Sequence, residues 1–367
     1  MKVLVTGANG FIGKNLIQRL HEIGIQSISY TRDMKSTDLA DAIKTVDFIF
    51  HLAGVNRALE ESQFEKVNKD LTNLLCELIK KSGRKIPIVY TSTIKAIEEN
   101  AYGLSKRAAE DLLIALERET ATPLCILRLP NVFGKWSRPN YNSAVATFCY
   151  NIANDLPIQI NKANAEIHLL YIDDLMDALI DILDTGFFGI FKPKISPIYS
   201  ITVGELARKI QSFKSSRETL LIEDVGTGFT RALYSTYLSF LKPENFCYPL
   251  IEHSDTRGRF VEVLKTINAG QFSFFSAHPG ITRGGHYHHT KTEKFLVIQG
   301  LAQFKFRNIL TGQASEINVT GNDPKVVESI PGWSHELTNI GENELLVLLW
   351  ANEIFDKQAP DTFIFKG

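Results

Sequence analysis

Three glycines near the start of the chain constrain its fold more than any other feature. Gly7, Gly10 and Gly13 lie between an apolar run at Lys2–Thr6 and a helical pattern at Lys14–Ile23. A glycine-rich turn between a strand and a helix is typical of a βαβ unit, in which the two strands are parallel. The motif therefore predicts a parallel sheet in this part of the chain.

The first half of the chain continues this alternation of short apolar strands and longer helical segments. Further strand candidates are Gln26–Tyr30, Phe48–Ala53, Ile86–Ser92 and Leu124–Leu129. Helix candidates are Val67–Lys80, Leu104–Glu117 and Val203–Phe213, the last with Thr202 as its N-cap. Continuous apolar strands separated by helices indicate a parallel sheet that is covered on both faces. We predict a doubly wound α/β fold of the Rossmann type over residues 1–245.

From Phe260 onward the pattern changes to short alternating strands that are separated by Gly, Pro and Asn turns. The strand candidates are Phe260–Leu264, Gln271–Ser276, Phe295–Ile298, Gln303–Arg307, Glu316–Val319, Val326–Ile330 and Leu345–Trp350. Many short strands at such spacing predict a closed barrel or a sandwich. We therefore place a domain boundary near residue 245 and predict an all-β domain over residues 246–367.

Length and composition agree with two globular domains. A chain of 367 residues is too long for one ordinary domain, and 44% hydrophobic with 22% charged residues is typical of a soluble protein. The net charge of −1 predicts neither a nucleic-acid nor a membrane-surface partner. The four cysteines show no CxxC spacing, and the sequence has no signal peptide or membrane span. We expect a cytoplasmic protein with reduced thiols.

The glycine motif also predicts a dinucleotide site. Gly7 permits the tight turn, Gly10 lets a pyrophosphate approach the backbone, and Gly13 allows close packing of the helix on the strand. The helix that begins with Phe11 and Ile12 directs the free N–H groups of its first turn towards the phosphates. A purely structural loop is the alternative, but the position between strand and helix favours a cofactor site.

The end of the second strand indicates which cofactor is bound. The chain there runs Tyr30-Thr31-Arg32-Asp33. An acidic residue at this point accepts hydrogen bonds from the ribose of NAD, whereas the forked guanidinium of Arg32 suits the extra phosphate of NADP. We predict NADPH, with Asp33 leaving NADH as the alternative.

Further motifs of the first half carry a family resemblance. They are His51–Gly54, Asn68, Thr91–Thr93, the YxxxK segment Tyr102–Lys106, and Arg128–Gly134. Together with the glycine motif they resemble the extended form of the short-chain dehydrogenase/reductase superfamily. The resemblance implies that Ala53, Tyr102 and Lys106 contact the nicotinamide cofactor. It also implies that Asn131 contacts a nucleotide-sugar substrate.

The same resemblance implies a catalytic set of Thr93, Tyr102 and Lys106, with Thr91 as the alternative hydroxyl. Tyr102 and Lys106 are four residues apart, so on a helix they share one face. We expect the lysine charge to lower the pKa of Tyr102, which then exchanges a proton with a carbonyl or alcohol. An exposed helical pair without a catalytic role is the alternative.

Four residues of the second half form a candidate metal site. His286 and His288 are two residues apart, so on a strand both rings point to one face. Glu293 and His335 complete a set of three imidazoles and one carboxylate, which is typical of Zn²⁺ or another first-row divalent ion. Exposed histidines are the alternative, and we expect His289 to be one.

The spacing of these residues resembles the cupin superfamily. Gly280-x5-His286-x-His288-x4-Glu293-x6-Gly300 reproduces its first motif, and Gly332-x2-His335-x3-Asn339 is similar to its second. The resemblance implies a metal-binding β domain. Because many functions occur on this fold, it does not identify the reaction.

Two other segments of the second half, Asp255–Phe260 and Arg283–Tyr287, resemble the sugar-nucleotide 3,5-epimerases, which remove an α-proton from 4-keto sugars. This similarity implies that Arg257 and Arg283 contact a diphosphate, with surface salt bridges as the alternative. In those enzymes the histidine that matches His286 is the base. Here we predict that His286 is a metal ligand and leave the base unassigned.

An extended reductase followed by a cupin resembles a family of bifunctional enzymes of capsule and O-antigen biosynthesis. The resemblance implies C3 epimerisation of a UDP-2-acetamido-2,6-dideoxy-4-ketohexose, followed by NADPH-dependent reduction at C4 to the L-talose product, on the route to UDP-N-acetyl-L-fucosamine. A homodimer is expected by analogy. Two alternatives are a single-activity reductase whose cupin only binds sugar or holds a dimer, and a non-catalytic nucleotide-sugar sensor.

Overall fold

The computed structural model describes residues 1–57, 60 and 62–365. The chain divides into two compact units. The first, here called the α/β unit, comprises Met1–Ile210 and Arg231–Leu241, and the second, here called the β unit, comprises Gln211–Thr230 and Lys242–Gly367. Residues 211–230 thus group with the β unit, whereas the sequence-based division placed them before the boundary.

The main sheet of the α/β unit is entirely parallel. Its strands are β1 (Lys2–Thr6), β2 (Gln26–Tyr30), β3 (Phe48–His51), β4 (Ile88–Thr93), β5 (Leu124–Leu129) and β8 (Ile190–Phe191). They are ordered β2-β1-β3-β4-β5-β8. Every residue of β3 and β4 is buried, as expected for central parallel strands with both faces covered.

A second, smaller sheet of this unit contains β6 (Asn131–Phe133), β7 (Glu166–Tyr171) and β9 (Tyr199–Thr202). The described helices of the chain are α1 (Phe11–Glu22), α2 (Ser36–Thr45), α3 (Ser62–Phe64), a π-helical segment (Glu65–Asp70), α4 (Leu71–Ser82), a 3-10 turn (Ile94–Ile97), α5 (Ala101–Thr120), α6 (Ala144–Ala153), α7 (Ile172–Thr185), α8 (Val203–Thr219) and α9 (Gly228–Leu238). The residues of α8 from Gln211 onward and those of α9 before Arg231 are grouped with the β unit. Thr202 is the N-cap predicted for α8, since its hydroxyl accepts the N–H of Glu205 at 3.2 Å.

The strands of the β unit form two sheets. Its strands are β10 (Leu221–Ile222), β11 (Glu252–Asp255), β12 (Gly258–Thr266), β13 (Gly270–Ala277), β14 (Thr282–Tyr287), β15 (Glu293–Gln299), β16 (Leu301–Asn308), β17 (Ala314–Thr320), β18 (Val326–Glu328), β19 (Trp333–Asn339), β20 (Leu345–Ala351) and β21 (Phe363–Ile364). One sheet has the order β10-β12-β13-β20-β15-β18 with β11 paired to β12, and the other has the order β17-β16-β19-β14-β21. A 3-10 turn at Pro243–Asn245 lies between β10 and β11.

The core of the β unit lies between its two sheets. Phe275, Phe295 and Val347 come from the first sheet, and Phe304 and Leu337 come from the second. All are nearly inaccessible to solvent. The predicted fold class, a parallel α/β fold followed by an all-β fold, is therefore confirmed. None of the described helices is long and apolar enough to cross a membrane.

Candidate active site and metal centre

The glycine motif forms a tight turn between β1 and α1. Gly7 has φ of +70°, and its N–H donates to the carbonyl of Tyr30 at 3.0 Å. A Cβ on Gly7 would lie 2.7 Å from the backbone nitrogen of Ala53, and one on Gly13 would lie 2.3 Å from the carbonyl of Gly7. A larger residue at either position would therefore push the turn away from α1 or from the chain after β3.

The other predicted cofactor residues lie around this turn. Phe11 and Ile12 begin α1, whose N-cap Gly10 contributes no side-chain cap. Arg32 is exposed and follows β2 by two residues, and the Ala53 N–H donates to Thr6 at 3.3 Å. Uncapped N–H groups at a helix N-terminus and a nearby guanidinium suit a phosphate-bearing dinucleotide. The residues present thus fit the predicted cofactor.

The predicted catalytic side chains meet where β4 ends and α5 begins. Thr93 is the last residue of β4, and its side chain is hydrogen-bonded to that of Tyr102. Lys106 lies one helical turn beyond Tyr102 and donates to the carbonyl of Thr91 at 2.8 Å. The hydroxyl next to Tyr102 is therefore that of Thr93, while Thr91 contributes its backbone oxygen to Lys106.

Burial dominates the electrostatics of this cluster. It lowers the pKa of Lys106 to about 7, and the carboxylate of Glu110 opposes that change. Burial also raises the pKa of Tyr102, against a lowering by its hydrogen bond with Thr93. The expected net lowering of the pKa of Tyr102 by Lys106 is therefore wrong for this structure. The Lys106 ammonium instead lies 4.4 Å from the centre of the Tyr90 ring.

Glu110 is a buried member of this site that the sequence reasoning missed. Its carboxylate accepts a hydrogen bond from Ser92 at 2.5 Å and two from Arg128 at 3.0 and 2.6 Å. It lies four residues after Lys106, so both occupy one face of α5. The four-residue spacing of Lys106 and Glu110 was the sequence feature that could have identified Glu110. A carboxylate one helical turn from a lysine, however, usually forms an ion pair with it at the protein surface.

Asn68 connects the chain after β3 to α5. It is buried within the π-helical segment, a type of distortion that is frequent at functional sites. Its side chain donates to Ser105 at 2.9 Å and accepts from the N–H of Val55 at 2.8 Å. These bonds hold the chain after β3 against the helix that carries Tyr102 and Lys106.

The predicted substrate residue Asn131 lies just after β5, with Pro130 between them. In the sheet, Thr93 is the partner of Leu129, so Asn131 lies two residues beyond the end of the strand next to Thr93. It begins β6, where it is paired with Leu169, and it is exposed. Its position at the carboxyl end of the sheet is where ligands bind in open α/β folds.

The four predicted metal ligands converge in the β unit. His286, His288, Glu293 and His335 each offer one ligand atom, and these atoms all lie within 4.8 Å of one another. One carboxylate oxygen of Glu293 is 3.2 Å from Nε2 of both His288 and His335. His288, Glu293 and His335 are buried, and His286 is half-buried.

Strand pairing explains this convergence. His286 on β14 is the register partner of His335 on β19, and their ring centres are 4.7 Å apart. His288 lies just beyond β14, with its ring centre 5.0 Å from that of His286. Glu293 begins β15 of the other sheet. His289 is exposed, as expected.

The charges of the cluster suit a divalent cation. Burial alone would raise the pKa of Glu293, but hydrogen bonds with His288 and His335 and the charge of Lys291 hold it well below its ordinary value. Lys291 is itself buried, and its ammonium is 3.4 Å from the Glu293 carboxylate. An ionised carboxylate and three imidazoles are a donor set that first-row divalent ions accept.

The two arginines that were predicted to bind a diphosphate are neighbours in the β unit. Burial and the charge of Arg257 both lower the pKa of Arg283. Arg257 is exposed and forms an ion pair with Asp255 at 2.5 Å. Arg283 lies over the ring of Phe275, and among the described residues its Nε has no hydrogen-bond partner. The salt-bridge alternative therefore applies to Arg257 but not to Arg283.

Two family models match the chain. Residues 3–190 match the NAD dependent epimerase/dehydratase family, and residues 253–363 match the polysaccharide biosynthesis C-terminal domain. A curated relative, UDP-2-acetamido-2,6-beta-L-arabino-hexul-4-ose reductase from Pseudomonas aeruginosa, is 56% identical over 364 residues, which are 99% of this chain and 98% of that protein.

Solved structures extend the likeness over the whole chain. The capsular polysaccharide assembling protein CapF from Staphylococcus aureus matches with a TM-score of 0.92 and 38% identity, and 100% of both chains is covered. UDP-glucuronic acid 4-epimerase from Bacillus cereus matches 65% of this chain and 98% of its own, with a TM-score of 0.56 and 18% identity, and supports the fold alone. The chain belongs to the NAD dependent epimerase/dehydratase family and, over its full length, to the CapF-type proteins that carry a polysaccharide biosynthesis C-terminal domain.

Proposed function

We propose that this protein is a bifunctional nucleotide-sugar enzyme. The β unit inverts C3 of a UDP-2-acetamido-2,6-dideoxy-4-ketohexose, and the α/β unit then reduces C4 with NADPH. The product is UDP-2-acetamido-2,6-dideoxy-L-talose, on the route to UDP-N-acetyl-L-fucosamine. One observation carries the proposal: a Thr93–Tyr102–Lys106 cluster and a metal-ligand cluster occur in one chain, whose 56% identical relative is named as a reductase of a UDP-linked 4-keto sugar.

The order of the two reactions follows from the acidity of the sugar. The hydrogen on C3 is acidic only while the neighbouring C4 carbonyl can take up the charge as an enolate. Reduction converts this carbonyl into an alcohol and removes that stabilisation. Inversion at C3 therefore precedes reduction at C4.

In the proposed reduction, Tyr102, Thr93 and Lys106 each have one role. NADPH, when bound, supplies the hydride for C4. Tyr102 donates its phenolic proton to the oxygen that becomes the C4 hydroxyl. Thr93 donates a hydrogen bond to the same oxygen, which its contact with Tyr102 makes sterically reasonable. Lys106 is buried one helical turn from Tyr102 and is assigned to orient the ribose of the cofactor, since its charge does not lower the pKa of Tyr102 in this structure.

In the β unit, a divalent ion would be held by His286, His288, Glu293 and His335. Zn²⁺ suits this set of three imidazoles and one carboxylate best. Such an ion, when bound, supplies Lewis-acid stabilisation for a carbonyl or enolate oxygen. The alternative is a structural role, in which the ion links the two sheets. C3 deuterium exchange in metal-loaded and metal-free protein separates these roles. Arg283 supplies positive charge for the diphosphate of the substrate, and Arg257 joins it by exchanging its ion pair with Asp255 for the diphosphate.

Arg32 supports NADPH rather than NADH as the reductant. The residue is exposed next to the glycine turn, where the ribose phosphate of NADP is expected. Arg32→Ala should raise KM for NADPH and leave KM for NADH nearly unchanged, because only NADPH carries the extra phosphate. Steady-state kinetics with both cofactors test this. A wild-type preference for NADH would contradict the assignment.

A single-activity reductase is the second candidate, because the printed name of the curated relative mentions reduction alone. In that case the β unit binds sugar or holds a dimer together. In either case we propose a cytoplasmic homodimer, by analogy with other members of the reductase and cupin superfamilies.

One experiment separates the two candidates. The UDP-linked 4-keto sugar is incubated in D₂O with the protein, with and without NADPH, and the products are followed by NMR. The bifunctional enzyme incorporates deuterium at C3 without NADPH and forms the C4 alcohol only with NADPH. Reduction without any C3 exchange would leave the single-activity reductase.

A further inference from the structure

We propose that Asp361 is a positioning residue of the metal centre, 73 residues along the chain from the histidine that it orients. It fixes the ring of His288 and the backbone of residues 289–291 in the arrangement that receives the ion. This inference rests on the metal-binding part of the proposed function. Asp361 belongs to the C-terminal segment and lies outside both predicted metal-ligand motifs.

The carboxylate of Asp361 organises the loop that follows His288. One oxygen accepts the N–H of His289 at 3.1 Å. The other accepts the N–H groups of Thr290 and Lys291, both at 2.8 Å, and the hydroxyl of Thr290 at 3.0 Å. One side chain thus satisfies three consecutive backbone donors between β14 and β15, and it fixes the path of the chain between His288 and Glu293.

The backbone carbonyl of Asp361 acts on His288 itself. Nδ1 of His288 lies 2.6 Å from this oxygen, which can only accept a hydrogen bond. Because this bond occupies Nδ1, Nε2 is the ring nitrogen that is left for an ion, and it lies 3.2 Å from Glu293. Hydrogen bonds of this kind orient metal-binding histidines and select their tautomer.

The surrounding strand pairing keeps Asp361 in place. β21 pairs antiparallel with β14, with Phe363 opposite Tyr287 and Ile364 opposite His286. The rings of Tyr287 and Phe363 are stacked, with centres 5.4 Å apart. Asp361 has φ of +37°, close to the left-handed region that L-residues rarely adopt. Its hydrogen bonds offset the cost of that backbone conformation.

The proposal predicts that Zn²⁺ changes hydrogen exchange in the wild-type protein. If the docked C-terminal segment favours metal binding, metal binding must favour docking by the same factor. Zn²⁺ should therefore slow hydrogen exchange at the N–H groups that report on docking. Three of these are the N–H groups of His289, Thr290 and Lys291, which donate to the Asp361 carboxylate. The fourth is the N–H of Phe365, which donates to the carbonyl of Gly285 at 3.0 Å.

The affinity of the full chain for Zn²⁺ is measured by competition with a chromophoric chelator, for wild type and three variants. Asp361→Ala keeps the backbone carbonyl but removes the side-chain bonds that hold it beside His288, so it should bind Zn²⁺ about 10–100-fold more weakly, the usual cost of disturbing a group that orients a ligand. Asp361→Asn keeps one side-chain acceptor as well, so its affinity should lie between those of wild type and Asp361→Ala. Asp356→Ala is the matched control, because within the described part of the chain this exposed aspartate accepts just the N–H of Gln358, at 2.8 Å.

The outcomes distinguish this inference from the metal site on which it depends. Wild-type protein that binds no Zn²⁺ overturns the metal site and the inference together. Equal affinities of wild type and Asp361→Ala overturn only the role of Asp361. Hydrogen exchange at residues 289–291 and 365 that does not respond to Zn²⁺ in a metal-binding wild type also overturns it. Thermal unfolding of each variant shows that the affinities refer to folded protein.

Discussion

The surroundings of Lys106 determine the pH range over which its ammonium is charged. Its ammonium is buried, donates to the carbonyl of Thr91 and lies over the ring of Tyr90. A buried cation is unfavourable unless nearby groups stabilise it. The carboxylate of Glu110 is the ionised group on the same helix face, and Arg128 and Ser92 hold it in place. We therefore expect Glu110 to control the pH range over which Lys106 is charged.

Glu110→Gln tests this dependence. Burial has already lowered the pKa of Lys106 to about 7, and Glu110 acts in the opposite direction. Removing its negative charge lowers the pKa of Lys106 further, so the cation is lost at a lower pH. The alkaline limb of kcat/KM for NADPH-dependent reduction should move to lower pH, because this parameter follows the free enzyme. Glu117→Gln, on the same helix, is the control, and equal profiles for all three proteins would contradict the prediction.

Tyr102→Phe tests the proposed proton donor. The variant keeps the ring and the helix, so NADPH binding should be retained, while kcat falls by about 10²–10⁴-fold because the general acid is lost. NADPH oxidation with the 4-keto sugar measures the loss, and fluorescence titration measures binding. Tyr150→Phe, which removes a hydroxyl from α6, should retain full activity. Substantial turnover by Tyr102→Phe would mean that another group donates the proton.

At the scale of elements, the strands of the α/β unit were predictable because burial on both faces makes them continuous apolar runs. β1, β2 and β5 cover the residues predicted for them. The β unit was harder to predict at β14 and β19, which were absent from the strand candidates although both carry metal ligands. β14 contains Gly284 and Gly285, both with positive φ, and has no regular apolar alternation. Pairing with β19 and β21 makes it a strand, and no local pattern encodes that pairing.

Gly13→Ala tests whether contact between the glycine turn and α1 supports cofactor binding. The added Cβ would lie 2.3 Å from the carbonyl of Gly7 and 2.8 Å from that of Ala8, so backbone atoms must move. We expect a loss of about 1–3 kcal/mol in the free energy of unfolding, typical of overpacking. We also expect clearly weaker NADPH binding. Gly226→Ala meets no atom within 4 Å and is the control. Unchanged NADPH affinity in Gly13→Ala would contradict a phosphate-binding turn.

At the scale of the whole molecule, sequence spacing identified side chains but not their surroundings. The four metal ligands were recognisable because three lie within eight residues of each other, and His335 follows a turn that marks its position. Asp361 contributes through its backbone carbonyl and through a position that depends on the pairing of β21 with β14. Neither property depends on a local residue pattern. The groups around Lys106 were missed for a similar reason, since Tyr90 and Glu110 appear in the sequence as ordinary strand and helix residues.

Because the metal-ligand cluster and the Thr93–Tyr102–Lys106 cluster are separate, we expect that one substitution can abolish C3 inversion or C4 reduction without abolishing the other. His288→Ala takes one imidazole from the metal cluster, so the variant should lose the ion and the deuterium exchange at C3. Because His288 belongs to the β unit and the proposed reduction uses only residues of the α/β unit, the variant should still oxidise NADPH with a 4-keto sugar already inverted at C3. Tyr102→Phe should show the opposite loss, with C3 exchange intact and reduction abolished.

The measurements for this pair are metal content, NMR of C3 exchange in D₂O without NADPH, and NADPH oxidation with the inverted sugar. Normal exchange in verified metal-free His288→Ala would refute a catalytic role for the ion and leave it structural. Loss of exchange in Tyr102→Phe would mean that the two clusters do not act separately. Because inversion needs the ketone that reduction destroys, His288→Ala given the uninverted sugar should form no L-talose product even with excess NADPH. Its formation there would contradict the proposed order of the two reactions.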